Sequence, residues 1–137
     1  MNTKQQGTVG MGAAIAYFTF IGYIVSIPLN DSQKYDLVVD DGKKLNRVQV
    51  KTSRFRKFKA FYVQVQQSGG SRKAATRTKF NNKSSDLLFV WCVDGSIYLI
   101  PSKHVTATNG FTLGPKYAKY KLVHGVGLEP TKPARGV

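Results

Sequence analysis

The segment Tyr35-Asp36-Leu37-Val38-Val39-Asp40-Asp41-Gly42-Lys43-Lys44-Leu45-Asn46-Arg47-Val48-Gln49-Val50-Lys51-Thr52-Ser53 decides how this chain is read. Leu37, Val38 and Val39 form an apolar, β-branched run, and Asp40-Asp41-Gly42-Lys43 is tight-turn sequence. From residue 45 to 52, Val48 and Val50 alternate with Arg47, Gln49 and Lys51. The pattern predicts two antiparallel strands, 35–39 and 45–52, joined by a hairpin. Asp36 enters on the first strand and Gln49-Val50-Lys51 lies on the second. Strand side chains alternate, so Gln49 and Lys51 leave on one face.

Outward from this hairpin the elements follow in order. Upstream, Val9, Ala13, Ala16, Tyr17 and Phe20 repeat at helical spacing and predict a helix over 5–21, with Gly22 placed to end it. Residues 23–28 read as a strand closed by the turn 29–32. The stretch 10–29 has no charge, but Thr19, Ser26, Pro28 and its glycines argue for a buried helix followed by a buried strand, not a membrane span. Downstream come the basic stretch 54–59 and a strand over 60–67. Residues 68–84 follow as a polar, basic segment without apolar period. Residues 87–93 and 97–100 predict a hairpin around Asp94-Gly95, and a helical piece is expected near 102–107. Past Pro101 the pattern weakens, and 129–137 read as a frayed tail. The expected fold class is α/β (α+β): one helix ahead of a mixed, mostly antiparallel central sheet, in three layers.

Composition narrows the partner. A length of 137 residues suits a single domain, 1–137, with a real core. Twenty-one Lys and Arg against seven acids give a net charge of +14, which points to a polyanion and above all to nucleic acid. The acids are concentrated: three of the seven, Asp36, Asp40 and Asp41, fall in the opening segment. The single Cys92 sits in an apolar run and reads as core packing. One cysteine provides neither a disulfide framework nor a zinc set, which fits a reducing, intracellular and cytoplasmic setting with nucleoid association through DNA. His104 and His124 lack partners at metal or triad spacing. Gly7-Thr-Val-Gly10-Met-Gly12 follows no strand and does not have dinucleotide-fingerprint spacing.

Taken singly, Asp36 reads as a turn cap and Gln49 and Lys51 as a polar edge. Taken together they have the layout of a metal-dependent phosphodiesterase site. Such chemistry needs a divalent ion to polarise a phosphoryl oxygen and activate water, and a cation to hold developing negative charge. A hard ion such as Mg²⁺ takes oxygen ligands. Asp36 offers a carboxylate, Val50 a backbone carbonyl and Gln49 an amide oxygen, with Lys51 as the cation.

Lys4-Gln5-Gln6-Gly7, Gly22-Tyr23, Val25-Ser26-Ile27-Pro28, Tyr35-Asp36-Leu37, Val48-Gln49-Val50-Lys51-Thr52-Ser53 and the run ending Tyr98-Leu99-Ile100-Pro101 closely resemble the PD-(D/E)XK nucleases encoded by group I introns. The resemblance spans about residues 2–103. It implies a restriction-enzyme-like core and a Mg²⁺-dependent double-strand cut at a long intron-insertion site. It also implies a homo-oligomer, dimer or tetramer, on double-stranded DNA, and no membrane. Two positions depart from that family's pattern. Gln49 stands for the motif's second acid, and Met11 stands where the family's helix glutamate is expected. A thioether does not replace a carboxylate on Mg²⁺, so the expectation is a chain that binds DNA but cleaves it weakly. The alternative is a non-catalytic, maturase-like nucleic-acid-binding module on the same fold.

DNA contacts are expected from Lys43, Arg54, Arg56, Lys57 and Lys59, and from Ser71, Arg72, Lys73, Arg77 and Lys79. A hairpin over 58–83 is expected to enter the major groove, with Gln64, Gln66, Ser71, Arg72 and Arg77 as candidate base readers. Phe55, Phe58, Phe61 and Tyr62 interleave with these cations and are candidates for stacking on bases. Residues 104–137 are set apart as a C-terminal extension, in which Tyr117 and Tyr120 are candidate contacts to the DNA backbone or a second subunit.

Overall fold

A computed structural model describes residues 1–30, 32–68 and 77–123. Helix α1 covers Thr3–Phe20 and opens on a capping box, in which Asn2 Oδ1 accepts the Gln5 N–H at 2.8 Å and Gln5 Oε1 accepts the Asn2 N–H at 2.9 Å. It closes at Gly22, whose φ of +90° suits a residue without Cβ. There the Tyr23 N–H reaches the Phe18 carbonyl at 2.9 Å and the Gly22 N–H that of Thr19 at 3.0 Å. The Tyr23 ring stacks on Phe18, so the chain reverses directly into the first strand.

The strands are β1 (Ile24–Ser26), β2 (Leu37–Asp40), β3 (Leu45–Ser53), β4 (Arg56–Lys57), β5 (Ala60–Gln64), β6 (Gln67–Ser68), β7 (Arg77–Thr78), β8 (Leu87–Cys92), β9 (Ile97–Pro101), β10 (Gly110–Thr112) and β11 (Lys121–Val123). The central sheet runs β1-β2-β3-β8-β9-β11, and within it only the β3–β8 pair is parallel. A second sheet, β10-β5-β4, forms another layer, and β6 pairs with β7. The expected α+β, mixed-sheet architecture is present.

Two apolar clusters lie on either side of the central sheet. On one face Ala14, Tyr17 and Phe18 of α1 pack on Leu37, Val39, Val48, Phe89 and Leu99. On the other, Phe61, Val63 and Val65 pack on Leu88, Val90, Cys92 and Ile100. Burial pushes the Cys92 thiol up to about 12, as befits an inert core group.

The C-terminal half differs from expectation. The helical piece near 102–107 is a 3₁₀ turn at Ser102–His104, followed by β10, a 3₁₀ segment at Pro115–Tyr120 and β11. Val105, Leu113, Tyr117, Tyr120 and Leu122 all enter the core, so Tyr117 and Tyr120 are packing residues. His104 Nδ1 pairs with the Tyr120 hydroxyl at 2.5 Å. The strand expected over 60–67 ends at Gln64, and Phe61 belongs to the second cluster. Only β6 and β7 continue as a separate two-stranded ribbon; the segment between them lies outside the described residues. Among the described residues no helix is long and apolar enough to cross a membrane.

What seats α1 is a close approach at Gly10. A Cβ added there would lie 2.4 Å from Thr52 Cγ2, and one turn earlier the buried Gln6 donates its Nε2 hydrogen to Thr52 Oγ1 at 2.6 Å. Thr is stiff at χ1, so the strand cannot move its methyl aside cheaply. Gly10→Ala is expected to cost about 1–3 kcal/mol of stability through overpacking. Thr52→Ser, which keeps the hydroxyl and deletes the methyl, should recover most of that loss in the double variant. Denaturant unfolding of the four proteins measures it; additive losses would show that the helix is not seated by this contact.

Candidate nuclease site

The acids sort by environment. Asp40 and Asp41 accept backbone N–H groups of Gly42, Lys43 and Lys44 and so hold the β2–β3 turn. Asp86 accepts the Arg47 N–H at 2.7 Å and pairs with its guanidinium at 3.3 Å. Asp94 closes the β8–β9 turn on Ser96 and pairs with Arg56 at 3.6 Å. Asp36 is used differently, inside the sheet.

The β2–β3 ladder runs from Asp40↔Leu45 to Leu37↔Val48, and the Asp36 N–H adds a bond to the Val48 carbonyl at 2.8 Å. At the next step the Asp36 side chain takes over. Its Oδ2 accepts the Val50 N–H at 2.8 Å and the Gln49 Nε2–H at 3.0 Å. The backbone of β2 therefore parts from β3 at Val50. A strand residue directs its N–H and C=O to the same edge, so the Val50 carbonyl points to the opening that Asp36 borders. Odd-numbered residues of β3 face the other way, toward β8, as the bonds Asp86 N–H to Arg47 O and Val93 N–H to Ser53 O show. Register puts Val48 on the helix side, with Leu37 and Leu87. Gln49 and Lys51 leave on the opposite face, as the alternation predicted.

The site is electrostatically uncomfortable. Burial raises the Asp36 pKa, against the Val50 hydrogen bond and the Lys51 charge, which pull it down. Burial likewise lowers the Lys51 pKa, against the Asp36 charge. Gln49, itself buried, eases the conflict. A second carboxylate there would repel Asp36, whereas the amide donates to it. Gln49 donates here through Nε2; to act as a metal ligand it would present Oε1.

The oxygen set of Asp36, Val50 and Gln49 suits a hard dication, and Mg²⁺ commonly sits on one or two carboxylates with water and substrate phosphate completing its shell. Among the described residues no three His, Cys, Asp or Glu come together, and within the set of Asp36, Val50 and Gln49 the one formal charge is that of Asp36. Met11 follows Gly10, which abuts Val50 and Thr52, and packs against the helix-side cluster. Position 11 thus lies on the helix side of the sheet, beside the strand segment that carries Gln49 and Lys51 on its other face. Sequence reading missed Gln6, Gly10 and Thr52 as the residues that fix this segment. The Gly7-x-x-Gly10 spacing was the available signal.

The expected DNA contacts divide. Lys43, Lys57, Lys59, Gln64 and Lys79 are exposed and Gln66 is half-buried. Arg54 is exposed, with Nη2 3.3 Å from the Met1 carbonyl. Arg56, besides its pair with Asp94, lies 4.2 Å over the Phe61 ring. Ser71, Arg72 and Lys73 lie outside the described residues, and Arg77 opens β7.

Among solved structures the chain is similar to that of a bacterial homing endonuclease, I-Ssp6803I, at 24% identity and a TM-score of 0.75, covering 88% of this chain and 89% of that one. That likeness is one of fold. No curated protein matches the chain. The PD-(D/E)XK endonuclease family model matches residues 1–114, from the capped helix past both arms of the opened ladder to β10, and the chain accordingly belongs to the PD-(D/E)XK endonuclease family.

Proposed function

We propose that this chain is a site-specific endonuclease for double-stranded DNA, of the homing type, whose hydrolytic site is Asp36, Gln49, Val50 and Lys51. The observation that carries the reading is the opened ladder. One carboxylate, one backbone carbonyl and one amide border a single gap, with a half-buried ammonium on the same face. Family membership supplies the reaction class, phosphodiester hydrolysis in DNA. Asp36, the Val50 carbonyl and Gln49 would hold a divalent cation, Mg²⁺ in this proposal. When bound, that ion supplies Lewis-acid polarisation of the phosphoryl oxygen and a more acidic water.

The chain's own residues do the rest. Lys51, partly desolvated, places a cation against the charge that develops on the phosphorane oxygens. Gln49 and the Val50 N–H fix the orientation of the Asp36 carboxylate, and burial keeps the ammonium from competing water. The exposed cations supply affinity. β3 spans about 30 Å at about 3.3 Å per residue, so Lys43 at one end and Arg54 at the other lie within roughly one turn of a B-form duplex. One protomer then covers only a short half-site, and a long target requires symmetry-related copies, a dimer or a tetramer.

Met11 weakens catalysis in this proposal, and a binding module that has lost cleavage is the reading it favours next. Met11→Glu should raise Mg²⁺-dependent linearisation of a plasmid carrying the intron-insertion site by at least about tenfold. The carboxylate replaces a half-buried thioether, so about 1–2 kcal/mol of stability should be lost. Adding Lys51→Ala should remove the gained activity by about 100-fold or more while duplex binding persists. If Met11→Glu brings no gain and both proteins still bind duplex, the non-catalytic module is the correct reading.

Burial of Asp36 also sets a stability test. Its raised pKa means that the folded state holds the proton more tightly than the unfolded chain, so ionisation subtracts stability as pH rises through that window. Both donors meet one oxygen, Oδ2, which an asparagine can reproduce. In metal-free protein Asp36→Asn should therefore leave the thermal midpoint at pH 7 unchanged or a few degrees higher. The difference should close as pH falls and Asp36 takes up its proton. A midpoint lower by more than about 5 °C at pH 7 would mean that the carboxylate holds the fold together.

A further inference from the structure

The β4–β5 hairpin carries a feature that the site does not use. It turns on two residues, Phe58 at φ 52° and Lys59 at φ 66°, flanked by the pairs Lys57↔Ala60 and Arg56↔Phe61. Two consecutive left-handed residues make the turn that Asn-Gly or Gly-Gly ordinarily supplies, and a bulky aromatic is among the residues least suited to it. Phe58 is 96% exposed, so among the described residues no packing offsets the strain. Lower in the hairpin the other aromatics are occupied. Phe55 stacks on Tyr62 at 6.0 Å, Lys57 Nζ lies 4.0 Å over the Tyr62 ring, and Phe61 is buried under Arg56. The result is a stiff stem with a bare phenyl ring at its tip, between Lys57 and Lys59.

We propose that Phe58 is a wedge that enters a base step of duplex DNA while Lys57 and Lys59 hold the flanking phosphates. Strained residues persist where a function uses them, and apolar side chains set among cations are the means by which proteins unstack and kink a duplex. Placement favours DNA as the partner. The hairpin grows directly from the end of β3, the strand that bears Gln49, Val50 and Lys51, and Ser53 Oγ ties that end to the Tyr62 carbonyl at 2.5 Å. Phe58 lies seven positions after Lys51, a reach of at most about 24 Å, so the kinked step falls within about seven base pairs of the phosphate held by the proposed site. The inference rests on the nuclease reading for its substrate but not for its catalysis.

The probe is a 40-base-pair duplex, intact or with a single-nucleotide bulge that unstacks one step in advance. The unsubstituted chain should bind the bulged duplex roughly tenfold more tightly. Phe58→Ala should reduce that preference to less than about twofold, and Phe58→Trp should retain it. The decisive variant is Phe58→Asn with Lys59→Gly, which relieves the turn. It should raise the thermal midpoint by several degrees yet lose the preference, which a merely structural Phe58 would not do. An unchanged preference in Phe58→Ala overturns the wedge and leaves the nuclease reading intact. So does an effect confined to phosphatidylserine vesicles, or to the sedimentation coefficient, which would assign the tip to a membrane or a second copy. If the unsubstituted chain binds neither duplex, the nuclease reading falls as well.

Discussion

Where β2 lets go of β3 decides the rest of this molecule. Up to Val48 the two strands share an ordinary antiparallel ladder; at Val50 the Asp36 carboxylate replaces the main-chain acceptor, with Oδ2 2.8 Å from the amide nitrogen. That one substitution of side chain for backbone satisfies a buried N–H that would otherwise be costly. It also opens the sheet with that N–H satisfied, turns the Val50 carbonyl toward the gap and holds the carboxylate in place. The proposed site is therefore built into the sheet instead of being carried on a loop.

The other elements hold this opening in place. Parallel pairing with β8 fixes β3 from the far side, Val48 through Ser53 matching Leu87 through Cys92. The helix clamps the same strand segment through Gly10 and Gln6 on Thr52, and the second sheet ties its end through Ser53. A rigid frame is needed because the site itself is unfavourable: burial opposes the charge on both Asp36 and Lys51. Each offsets part of the other's desolvation, and Gln49 removes the like-charge repulsion that a second acid would add. Such locally unfavourable burial of charge is a common feature of active sites, which is in keeping with the proposed role of this opening.

Much of this was legible in the sequence because it is local. The period-two alternation of Val48 and Val50, the Asp-Asp-Gly turn and the Gly22 stop each act over a few residues, and they yield the hairpin, the helix and the shared face of Gln49 and Lys51. What escaped depends on distant partners. β10 and β11 are three residues each and form only because Gly110 meets Gln64 and Lys121 meets Tyr98 across the fold. Tyr117 and Tyr120 sit among lysines and read as surface, yet both rings are buried while Lys116 and Lys119 lie over them at 5.4 Å and 5.2 Å. Gly10 reads as one glycine among several; its meaning is a threonine methyl forty-two residues away. Gln49 was read as a ligand, and the structure adds that it first serves as a donor to Asp36.

The central claim is that the opening between Asp36 and Val50 holds a divalent cation in contact with those residues. Paramagnetic line broadening by Mn²⁺ in a two-dimensional amide NMR spectrum tests it directly, since the effect falls steeply with distance and needs no cleavage. At substoichiometric Mn²⁺ the amide signals of Asp36, Gln49, Val50 and Lys51 should broaden first, and Asp36→Asn should abolish that selectivity. Broadening that begins elsewhere, or that Asp36→Asn leaves unchanged, would contradict the account.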